Sequence, residues 1–172
     1  MRVPLSVPPA TDGVRTVVEI AASPEAVFNA LSDPRELAAW LGGSAAPSGD
    51  RAPHWGRPSM PIIGQPWSAP ALRPDGSVGS VRGEYLLVDP PRCLESTWRA
   101  SWDGFSPDRV RFDLTRIDVG GGIATRLTVT HTRASAHLEV TASAGMFGRG
   151  EWPTLLARLA SYLTSPVAGR VS

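Results

Sequence analysis

The sequence predicts an α+β domain, a curved antiparallel sheet around a long C-terminal helix with two short helices after the first strand. Three observations carry this. Residues 14–41 pass from a strand period to a helical one and then carry two helix-start signals in close succession. Residues 77–133 alternate apolar and polar side chains in runs divided by turn residues. Residues 152–163 repeat large apolar side chains at helical spacing.

Residues 14–20 are rich in β-branched side chains and put Val14, Thr16, Val18 and Ile20 on one face, as a strand does. Ser23 and Pro24 then start a helix, because serine accepts from unpaired backbone N–H groups and proline at the first position has none to lose. Glu25 adds favourable charge at that end, and Val27, Phe28 and Leu31 form the apolar stripe. Asp33 and Pro34 repeat the signal, with Glu36 placed to complete a capping-box-like arrangement. Leu37, Trp40 and Leu41 make the second stripe.

The stretch GGSAAPSGDRAPHWGRP at 42–58 has no period and reads as a long loop containing His54 and Trp55. Two readings of Trp55 compete: it closes over a ligand, or it anchors the loop. Residues 62–72 form a weak strand that Pro66 and Pro70 assign to an edge or irregular position. Strands follow over 77–88, 92–102, 109–117 and 123–133. Within them Leu94, Ser96 and Trp98 share a face, as do Val110, Phe112 and Leu114, and Leu127, Val129 and His131. Short links, including a turn at Gly120 to Gly122, make the sheet antiparallel. The last helix begins near Gly150, with Pro153 in its first turn, and stops before Pro166. One domain is expected over 14–165, with tails at 1–13 and 166–172.

Composition excludes several function classes. A net charge of +1 gives no bulk attraction to nucleic acid or to an anionic membrane. All 17 basic residues are arginine, so there is no Schiff-base lysine, pyridoxal-phosphate anchor or P-loop lysine. Cys93 is the single cysteine and cannot form an intramolecular disulfide. His54, His131 and His137 make no metal-binding cluster, and no cofactor is expected. With no signal peptide or membrane span in the pattern, a cytoplasmic protein is the expectation.

The residues collected resemble the START-like, or SRPBCC, superfamily with its helix-grip fold, and within it the branch named for homologues of the activator of heat-shock protein 90 ATPase. EIAASPEAVFNALSDPRELAAWL at 19–41, GEYLLVDPPRCLESTW at 83–98, TRLTVTH at 125–131 and GEWPTLLARLASYL at 150–163 carry the resemblance. It implies a cavity between sheet and long helix that often holds lipids, hormones or polyketide-like molecules. Two departures stand out: the 42–58 loop precedes a region where the family has a clearer strand, and Pro153 lies inside the segment resembling the start of the last helix.

A dry void of roughly 300 Å³ would cost on the order of 7 kcal/mol, so such a space is wet, occupied or plugged by side chains. Trp98, Phe112, Leu114, Leu127, Val129 and Trp152 are placed to line or plug it, and Trp40 and Trp55 stand at its entrance. For each aromatic, ordinary core packing is the competing reading. His131 occupies the apolar phase of its strand and is the sharpest candidate general acid or base, against a hydrogen-bonded structural histidine. Glu84 is the second candidate, against an arginine-paired rim carboxylate. The leading expectation is a domain that binds a hydrophobic or amphipathic small molecule with no assigned reaction. A cyclase, dehydratase or isomerase using His131 or Glu84 is the alternative, and a chaperone-interaction module is the third reading.

Overall fold

The computed structural model describes residues 13–42, 60–73, 75–102, 107–132 and 151–165. In chain order these form β1 (Gly13–Ile20), α1 (Pro24–Ser32), α2 (Pro34–Leu41), β2 (Pro66–Leu72), β3 (Val78–Asp89), β4 (Cys93–Ala100), β5 (Asp108–Val119), β6 (Gly122–Thr132) and α3 (Trp152–Thr164). The six strands make one antiparallel sheet in the order β1-β6-β5-β4-β3-β2. Two short helices follow the first strand, and α3 packs on β1, α1 and α2. This is a helix-grip arrangement. No described helix is long and apolar enough to cross a membrane.

The helix signals act as the side-chain chemistry requires. Ser23 Oγ accepts from the Ala26 N–H at 3.3 Å, and Asp33 Oδ1 accepts from the Arg35 N–H at 2.8 Å. Asp33 also donates its own N–H to the Asn29 carbonyl at 2.8 Å, so one residue closes α1 and opens α2. Trp40 then locks the pair, its indole N–H donating to the Ala30 carbonyl at 2.8 Å.

Register puts Val14, Thr16, Val18 and Ile20 on the inner face with Leu127, Val129 and His131 of β6, because Val14 opposes His131 and Ile20 opposes Thr125. The same inner layer continues through Val110, Phe112 and Leu114 of β5 and Leu94, Ser96 and Trp98 of β4. Residues of β2 with the same orientation are Trp67, Ala69 and Ala71, all buried. As expected for a proline-bearing strand, β2 lies at the edge of the described sheet and, among the described strands, pairs only with β3. A register shift between Tyr85 and Leu87 changes the phase of β3. Val88, which an unbroken alternation would put on the face of Glu84, therefore opposes inner-facing Leu94. The β5–β6 hairpin turns on Gly120 and Gly121, whose φ values of 59° and 81° lie where side chains are strained. Pro153 falls in the first turn of α3, which begins one residue earlier.

Candidate functional site

The interior between sheet and helices is packed with a connected wall of aromatic rings. Trp67 lies over Tyr85, with centroids 6.3 Å apart, and meets Trp98 at 4.9 Å. Trp98 in turn meets Phe112 at 6.4 Å and Trp152 at 5.7 Å, and Phe112 meets Trp152 edge-on at 5.8 Å. Tilted and edge-to-face contacts of this kind add about 0.5–1.5 kcal/mol each beyond area burial. Rings from four strands and a helix thus form one connected wall.

Gly83 makes this packing possible. It lies between the strands that carry Trp67 and Trp98, and a Cβ there would run into the Thr97 carbonyl and the Trp67 indole nitrogen. Near this point the Glu84 N–H bonds the Thr97 hydroxyl at 2.9 Å.

Three polar groups meet the wall. Trp152 donates its indole N–H to His131 Nδ1 at 3.0 Å, and His131 Nε2 lies 2.8 Å from Asp108 Oδ2. An indole nitrogen can only donate, so Nδ1 is an acceptor, and the ring proton sits on Nε2 and points at the Asp108 carboxylate. His131 is 5% exposed and Asp108 opens to solvent at its outer end. Tyr85 donates to the Ser32 carbonyl at 3.0 Å, and burial, aided by the charge of Asp33, raises its phenol far above the ordinary range. It stays a donor. The third group is Trp67, 6% exposed, whose Nε1–H has no acceptor among the described residues. Cys93, also buried, sits apart from the wall beside Asp113; burial and that neighbouring charge push its thiol up to about 11. It is a poor nucleophile at neutral pH.

The Activator of Hsp90 ATPase homolog 1-like family model matches residues 21–164. The chain belongs to this AHSA1 family. Solved structures agree on the fold. A protein from Mycobacterium smegmatis superposes with a TM-score of 0.62 at 18% identity, covering 92% of this chain and 94% of the other. The AHSA1 protein from Silicibacter pomeroyi is 25% identical, with a TM-score of 0.57 and coverage of 88% and 96%. DynU16, a protein in the dynemicin biosynthetic locus, is 26% identical with a TM-score of 0.57; the match covers 88% of this chain and 47% of that one. A comparison with curated proteins finds no match.

In this AHSA1 domain Trp40, Trp98, Phe112, Leu114, Leu127, Val129 and Trp152 all enter one buried cluster. Trp40 is anchored between the two short helices, and Trp55 lies outside the described residues. His131 and Glu84 are not brought together: His131 is on the inner face, while Glu84 is exposed on the outer face with Arg82 and Thr97. Four site residues escaped sequence reasoning, Tyr85 among them because the register shift that follows it interrupts the alternation of β3. Asp108 carries a readable signal, since a hairpin turning at Gly120 and Gly121 puts His131 opposite Val110, one inner-face position from Asp108. Trp67 begins a W-x-A-x-A alternation that its flanking prolines obscured. Gly83 gave no local signal, because its role depends on two rings distant in sequence.

Proposed function

We propose that this AHSA1 domain binds a hydrophobic or amphipathic small molecule carrying a hydrogen-bond acceptor, against the Trp67–Tyr85–Trp98 part of the wall. The observation that supports this is the buried indole N–H of Trp67, without an acceptor among the described residues. A buried donor left unmade costs about 1–3 kcal/mol, and a ligand carbonyl or ether oxygen reaching it would remove that cost. The surrounding rings offer the apolar body of such a ligand a large, rigid contact surface. No reaction is assigned. The two ring nitrogens of His131 are engaged with Trp152 and Asp108, and Glu84 lies across the sheet, which favours binding over proton transfer by that pair.

Native mass spectrometry of the purified protein should show a bound metabolite, or a panel of hydrophobic compounds should raise its melting temperature. Trp67→Phe should keep the fold and weaken the best binder by roughly fivefold to tenfold, the value of one hydrogen bond. An empty protein that no compound stabilises overturns the proposal, and unchanged affinity in Trp67→Phe removes the assigned donor. Acceleration of Hsp90 ATP hydrolysis by the ligand-free domain would favour the chaperone reading instead.

A further inference from the structure

The outer face of the sheet carries a second feature. Three of its arginines are paired: Arg109 meets Glu95 at 3.1 Å, Arg111 meets Asp113 at 2.9 Å and Arg126 meets Glu19 at 2.8 Å. Arg82 and Arg99 stand outside these pairs, as does Arg15 on β1. Arg82 and Arg99 are direct register partners on β3 and β4, and among the described residues neither has a carboxylate within ion-pair distance. Like charges directly opposite in a sheet repel, so this pair is held at a cost to the unliganded fold.

The pair lies in a groove of about 610 Å³, lined also by Pro66, Ser68, Glu84, Thr97 and Pro107, which falls in the size range of small-molecule sites. Ser68 opposes Arg82, which opposes Arg99, so three donor side chains stand side by side across three strands. Thr97 lies in the adjacent row. Its oxygen already accepts the Glu84 N–H, which leaves the hydroxyl proton to donate. Glu84 is the one carboxylate among the described residues that line the groove; it confines an anion to the arginine row and can accept from a ligand hydroxyl or amine.

We propose that this groove binds a small organic phosphate, with the phosphate on Arg82 and Arg99 and the organic part against Pro66 and Pro107. Two guanidiniums offer planar forks that suit phosphate oxygens, and a dianion neutralises both where a carboxylate neutralises one. The arginine side chains face away from the aromatic wall, while Trp67 and Gly83 of that wall also line the groove from β2 and β3.

The test is titration of the isotope-labelled full chain with phenyl phosphate, followed by backbone amide NMR. Saturable shifts centred on Ser68, Arg82, Glu84, Thr97 and Arg99 are expected. Arg82→Gln and Arg99→Gln should each weaken binding about tenfold, the scale of a charge-assisted contact. Neither should lower the melting temperature without ligand, because each relieves the repulsion. Sodium benzoate, with the same ring and a single charge, should bind more weakly. Four results would overturn the proposal: no saturable shift, shifts confined to interior amides such as Phe112 and Leu127, affinity unchanged in both arginine variants, or benzoate binding as tightly as phenyl phosphate. Arginine-dependent binding seen only with phosphatidic acid vesicles, or only with a single-stranded oligonucleotide, would also overturn it in favour of a lipid surface or a nucleic acid.

Discussion

Trp152 has one proton to give and His131 receives it, and this short bond joins the first residue of the last helix to the sheet. Replacing the histidine removes both of its partners at once. His131→Leu should therefore destabilise the domain by about 1–3 kcal/mol, mostly from the orphaned Trp152 N–H, since Asp108 can still turn to water. Asp108→Asn should cost less, because an amide oxygen still accepts from Nε2. Chemical denaturation of the two variants checks the order; a neutral His131→Leu would show that the chain of bonds contributes no stability. The apolar phase of His131 was legible from Leu127 and Val129. Of its partners, Asp108 could be placed from the β5–β6 hairpin register, whereas Trp152 could not, because it lies on a helix that only the assembled fold brings close.

At the scale of elements, the start signals of α1 and α2 and the alternation of β4, β5 and β6 were legible because each rests on local chemistry: a capping oxygen, a proline without an N–H, a two-residue period. The phase of β3 was not, since its register shift depends on how β4 lies beside it. The inner packing of β2 and β3 turns on Gly83. Gly83→Ala should lower stability by about 1–3 kcal/mol, as overpacking does, because the obstructing Thr97 carbonyl belongs to a paired strand and has little room to yield. Thermal unfolding with tryptophan fluorescence will read both the loss and the disturbance of Trp67; an unchanged melting temperature would mean that the β3–β4 ladder gives way easily.

For the whole molecule, charge responds to pH in an unusual way. With 17 arginines, no lysine and 16 carboxylates, a net charge of 17 − 16 = +1 grows steeply positive in acid and never loses its cationic side chains in base. Individual groups shape this. Hydrogen bonding from Arg111 holds Asp113 below its ordinary 3.8, so the stability it contributes is present above that value and is lost as pH falls through the lower folded one. Burial acts oppositely on Glu151, which is raised above 4.5; its folded state is favoured in acid and loses that advantage as pH rises through the folded value. Melting curves against pH should show Asp113→Asn flattening the acid limb below 3.8 and Glu151→Gln gaining most at neutral pH. Identical profiles for wild type and both variants would remove these assignments. The overall plan was legible because the order of elements alone specifies a sheet gripping a helix, whereas the occupancy of its interior depended on ring contacts made across the whole chain. One border of that sheet has a further consequence. Pro66 and Pro70 deprive β2 of two backbone donors along the side that no described strand covers, so a second chain seeking to extend the sheet there would meet gaps in its ladder. The margin beside the ringed wall is thereby protected against fibrillar growth, and a variant restoring both donors would be the one to watch for aggregation.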